Sequence, residues 1–102
     1  MRTRNWLVED NLVALYLALY GDHGLRMSKS QIAGLIGRKG FQMRIQNYTA
    51  IHTNGRAGLT AGLKAPLFKE LYKIGTKMDQ RMFRELVTLV LDTKAKLGSK
   101  SR

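Results

Sequence analysis

Glycine cuts this chain into segments of helical length. Its ten glycines gather at 21 and 24, at 37 and 40, at 55, 58 and 62, and at 75, with single ones at 34 and 98. Glycine is a poor helix former and a natural stop, so such clusters punctuate. The stretches between them are rich in Leu, Ala, Ile and Met and show no strict alternation of apolar and polar residues. The predicted fold class is therefore all-α, a small helix-turn-helix with one or two additional C-terminal helices. The 102 residues fit one small domain. We take it as 1–97, with 98–102 as a basic tail.

Five helices are predicted. The first spans about Val8–Tyr20, is apolar around much of its circumference and belongs at the centre of the core. Glu9 and Asp10 in its first turn suit the helix dipole. The second spans about Lys29–Ile36, with Ser28 as N-cap and Gln31 completing a capping box. Gly37 stops it. The third spans about Gly40–Ile51. The Asn54-Gly55 turn signal then opens a loop that holds Gly58 and Gly62 and runs to Leu63. A fourth helix begins at Pro66, a favoured first position, and is predicted to break at Gly75. The fifth follows Thr76 as cap, with Asp79 at the capping-box position, and continues to about Lys96.

Charge supplies the functional direction. Lys and Arg number 18 against 7 acids, a formal net charge of +11. Residues 1–20 are neutral, whereas the middle and C-terminal parts carry +5 and +6. So strong a field suits a polyanionic partner, nucleic acid before an anionic membrane. There is no Cys, which excludes disulfides and thiolate chemistry and agrees with a cytoplasmic, nucleoid-associated setting. The apolar run ending at Tyr20 is too short to span a bilayer, and the acids before it argue against a signal peptide.

The third predicted helix sorts by role at about 100° per residue. Phe41, Ile45 and Tyr48 form one buried stripe. Gln42, Met43, Gln46, Asn47 and Ala50 take the opposite arc, and Arg44 takes the flank. Gln and Asn can pair bidentately with adenine, while Met can touch a thymine methyl. Arg38, Lys39 and Arg44 would meet phosphates and fix the register. Lys29 would add a phosphate contact from the second helix, whose N-terminus is itself an anion site. Arg56 and Lys64 in the glycine-rich loop would add two more. The preceding capped helix and tight turn make this a helix-turn-helix unit whose second helix enters the major groove.

Several of these residues resemble a known family. They are Trp6 with Glu9-Asp10 and the Leu/Ala/Tyr helix, the run Ile32-Ala33-Gly34-Leu35-Ile36-Gly37-Arg38, and Gly58-Leu59. Closest is the run Phe41, Gln42, Met43, Arg44, Ile45, Gln46, Asn47, Tyr48. Together, over roughly residues 5–75, they resemble the Myb/SANT-like DNA-binding domain found N-terminal to the nuclease domain of HNH-type restriction-like endonucleases. The resemblance implies a three-helix DNA-binding core, here standing alone in a bacterial or phage-infected cell. Two features depart from it. The Arg38-Lys39-Gly40 turn is shorter than the family's, and no His-Asn-His constellation follows.

The resulting expectation is a sequence-specific double-stranded DNA-binding protein: a repressor, an origin binder or a competitor for a related nuclease's site. The alternatives are an RNA-binding protein, or a non-enzymatic inhibitor or interaction module that contacts an acidic protein. Catalysis is not expected, since no paired carboxylates, nucleophile-base spacing or metal set stands out. His23 and His52 lack ligand-spaced partners. We expect no cofactor and no small-molecule substrate. The apolar content of the last helix exceeds what one face needs, which suggests a homodimer through helix 77–96.

Overall fold

In the computed structural model, residues 8–37, 40–56 and 66–100 are described. They form α1 (Val8–Tyr20), α2 (Lys29–Ile36), α3 (Phe41–His52), α4 (Pro66–Lys77) and α5 (Gln80–Lys100), with no strand among the described residues. The last helix runs through Lys100, into the stretch the charge pattern set apart as a tail.

The helix α1 is the axle. Val13 through Leu17 are consecutively buried, because α3, α4 and α5 all pack on it. A helix enclosed on several sides needs apolar residues all round, which α1 has. Tyr16 meets Phe83 of α5 edge-on, ring centroids 5.3 Å apart, and its hydroxyl donates to the His23 carbonyl at 3.2 Å.

The capping box of α2 forms as the sequence predicts. The Gln31 N–H donates to Ser28 Oγ at 3.2 Å, and the Ser28 N–H to Gln31 Oε1 at 2.9 Å. The C-cap Gly37 is left-handed, φ 66°. At the far end of α3 the Asn54-Gly55 signal becomes a Schellman turn. Asn54 is left-handed at φ 57°, its N–H donates to the Ile51 carbonyl, and the Gly55 N–H reaches Ala50 at 2.8 Å.

Two expectations are corrected around α4. Gly75 does not break the helix. It is buried inside it, and a Cβ there would overlap Leu15 Cδ2 and stand 3.2 Å from Phe83 Cε2. The glycine lets α4 close on α1. Nor does Thr76 cap α5, since its hydroxyl donates back to the Tyr72 carbonyl within α4. Asp79 is the cap: its carboxylate accepts from the Met82 N–H at 3.4 Å and its carbonyl from the Phe83 N–H at 2.9 Å.

Asp10 is more than a first-turn acid. It is 1% exposed and pairs with Lys94 Nζ of α5 at 2.9 Å. Glu9 beside it is exposed.

Candidate nucleic-acid interface

Phe41, Ile45 and Tyr48 are buried, which fixes the rotation of α3 about its axis. Gln42, Met43 and Gln46 are exposed, with Met43 at 59%. The connection from α2 is four residues, 37–40, and left-handed at both ends, since Gly40 has φ 86°. These two short helices and their turn form one unit, in which α3 packs on α1 and α2 packs on α5 and α3.

Arg44 faces inward, not to the phosphate side. Its guanidinium donates to Asn11 Oδ1 at 3.3 Å and lies 5.0 Å over the Phe68 ring of α4. The Tyr48 hydroxyl donates to the same oxygen at 3.0 Å, and the Tyr48 ring meets Phe68 at 5.2 Å. One buried asparagine thus ties α1 to two side chains of α3. Burial lowers the Arg44 pKa from its ordinary value, against the opposing effect of Tyr48. Burial also pushes the Tyr48 phenol well above the usual tyrosine value, against the pull of Arg44. Arg44 is committed to this hub because Asn11 and Phe68 together offer it an acceptor and a ring face.

Three further placements change the expected surface. Ala50 is buried rather than outward, at the end where the Schellman turn folds back. Asn47 is half-buried, and its Oδ1 is enclosed with no hydrogen-bond partner among the described residues. Bidentate pairing with adenine needs both amide atoms at the surface, so Asn47 as placed does not supply it. The α2 N-terminus is not an open anion site. The Asp22 carboxylate accepts from the Lys29 N–H at 2.9 Å, and Ser28 takes the Gln31 N–H. The Lys29 side chain itself is exposed.

Arg56 is exposed just past the Schellman turn. Lys29 and Arg56 each sit at the end of the unit remote from the turn. Arg38, Lys39 and Lys64 lie outside the described residues, as does Trp6. Of the seven expected contacts among the described residues, Gln42, Met43 and Gln46 are brought onto one exposed helical face.

Sequence reading missed a second surface. Lys69 and Lys73, one turn apart on α4, are exposed and border a cleft of about 450 Å³ with Ile51, Asn54 and Tyr72. Next to it the exposed His52 ring shares a hydrogen bond with the Tyr72 hydroxyl, Nδ1 to O 3.1 Å. Lys73 is also 3.4 Å from Glu70, both exposed. The 69/73 spacing was visible, but nothing local placed it beside the end of α3.

Among the described residues no three His, Cys, Asp or Glu side chains gather as a metal site, and no helix is long and apolar enough to cross a membrane. Comparison with protein-family models, with curated proteins and with solved structures gives no match.

Proposed function

We propose that the chain binds duplex DNA sequence-specifically, presenting the outer face of α3 to the major groove. The observation that carries this reading is the exposed Gln42, Met43 and Gln46 on a helix fixed by Phe41, Ile45 and Tyr48, in a chain of net charge +11. Gln42 and Gln46 lie one turn apart and supply paired donors and acceptors, while Met43 supplies an apolar contact. Lys29 and Arg56 add positive charge at the two ends of the unit. The resemblance to the Myb/SANT-like domain of HNH-type nucleases points the same way. Repression, origin binding and competition for a nuclease site are each compatible outcomes.

Binding-site selection on random duplexes, followed by anisotropy at several salt concentrations, tests the reading. A selected site should outcompete unrelated DNA. Affinity should fall with salt at a slope near −0.9 for each phosphate neutralised. Equal affinity for unrelated duplexes would remove the sequence-specific part.

The His52–Tyr72 pair beside Lys69 and Lys73 supports a second reading, binding of structured RNA, because a partly exposed aromatic pair flanked by cations can stack an unpaired base. Tighter binding to a structured RNA than to the selected duplex would favour it.

A further inference from the structure

The helix α5 has two apolar faces, and the core takes one whole and only the edge of the other, where Val90 packs against it and Leu86 is half-buried. Phe83, Val87 and Leu91 point inward and are buried. At about 100° per residue, Met82, Leu86, Leu89, Val90, Thr93 and Leu97 fall on an adjoining arc roughly 100° wide. No charged residue lies on that arc between positions 82 and 97, a length of about 24 Å. Met82 and Leu89 are each 63% exposed and Leu97 60%. A cleft of about 340 Å³ opens along it, bordered by Glu9 at the start of α1 and by Lys94, whose ammonium is paired with the buried Asp10.

We propose that this arc pairs with the same arc of a second copy, the two α5 helices running antiparallel about a two-fold axis between positions 89 and 90. The sequence of the arc is self-complementary in that register. Met82 faces Leu97, Leu86 faces Thr93, and Leu89 faces Val90, each twice by symmetry. The exposed charged flank agrees. Glu85 of one copy comes within about 3 Å, along the axis, of the position opposite Lys96 of the other. Among the described residues Glu85 makes an exposed contact with Arg81, at 3.6 Å, which costs little to exchange. The arc itself carries no cation for a polyanion, and Lys94 at its border is taken by Asp10, so the helix is bipartite: one face for its own core, one for its double.

The area is small beside the ~800 Å² per partner of a standard interface, so the dimer is concentration-dependent. Its salt response is distinctive. Two chains of +11 repel, and salt screens that repulsion while leaving apolar contact intact. Dimerisation strengthens with salt, whereas phosphate binding weakens. The pairing does not depend on α3 meeting DNA, and its failure would leave the DNA reading standing.

Sedimentation equilibrium on the full chain tests it, from about 10 µM to about 1 mM, at low and high salt. The expected result is a mass rising toward two chains, with a dissociation constant at least tenfold lower in high salt. Leu89→Glu should remain a single chain throughout with an unchanged helical circular-dichroism signal, because Leu89 is exposed. Glu85→Lys should weaken the dimer, and adding Lys96→Glu should restore it. A single chain at 1 mM in high salt overturns the proposal, as does a dimer indifferent to Leu89→Glu. A monomer whose Trp6 emission shifts on Leu89→Glu would overturn it by assigning the arc to residues 1–7. Loss of the monomer on anionic vesicles, with no dimer in their absence, would overturn it in favour of a lipid surface.

Discussion

The helices α3 and α5 are attached to the molecule in the same way and differ in what they turn outward. Each sets a buried triplet against its neighbours: Phe41, Ile45 and Tyr48 in one, Phe83, Val87 and Leu91 in the other. Outside, α3 shows Gln42, Met43 and Gln46, whereas α5 shows Met82, Leu89 and Leu97. Attachment and outward chemistry are thus independent choices on a helix. The seams differ as well. Beneath α3 lies a polar hub on Asn11, while α5 is held by aromatic and aliphatic contact and by the Asp10–Lys94 ion pair.

The largest effect expected is at the apolar seam. Phe83→Ala deletes a fully buried ring and its edge contact with Tyr16, and should cost about 3–5 kcal/mol in denaturant unfolding. At the polar seam, Asn11→Ala leaves Arg44 and the Tyr48 hydroxyl without their shared acceptor and should cost about 2–3 kcal/mol. Asn11→Leu keeps the volume and removes only the acceptor, so it should lose about as much; a loss confined to Asn11→Ala would mean that volume, not hydrogen bonding, matters there.

Gly75→Ala sharpens the comparison from a third side. Helix propensity alone favours Ala by about 1 kcal/mol. Overlap with Leu15 should reverse the sign and leave a net loss of about 1–2 kcal/mol. A more stable variant would show that α1 and α4 can move apart freely.

Outward positions should behave oppositely. Gln42→Ala and Gln46→Ala should each cost about 1–2 kcal/mol in binding a selected duplex, with unfolding free energy changed by less than about 0.5 kcal/mol. Arg44→Met should do the reverse, lowering the melting temperature without flattening the salt slope. On α5, Met82→Gln should alter stability by no more than about 0.5 kcal/mol.

The smallest effect concerns pH. The Tyr48 phenol has its pKa raised in the folded chain, so its neutral form is favoured there. The resulting stability is complete below the unfolded tyrosine value, about 10, and is lost as pH rises beyond it. Stability should therefore fall above pH ~10, and Tyr48→Phe should reduce that slope. An unchanged slope would place the alkaline sensitivity elsewhere.

Much of the fold was legible locally. Ser28 and Gln31 announce the α2 cap, Asn54-Gly55 announces the turn, and the 41/45/48 spacing announces the inner side of α3. These signals act over a few residues, so neighbours in sequence suffice to read them. Arg44, Gly75 and Asp10 were illegible for one shared reason. Each gets its role from a partner on another helix: Asn11 and Phe68, Leu15, and Lys94. A flank arginine reads locally as a solvent cation and an internal glycine as a breaker. Only the packing of α1, α4 and α5 decides otherwise. The candidate reading face was legible in Gln42, Met43 and Gln46, but the partial burial of Asn47 was not.

Gly75 also acts on direction. Where it touches α1, α4 cannot roll about its own axis without driving a neighbouring side chain into Leu15. Lys69 and Lys73 stand roughly 120–160° around the helix from that point. The missing methyl thus works like a keyway. It sets the azimuth of two cations far from it, so that their bearing on the end of α3 is built into the core and owes nothing to the lysines themselves.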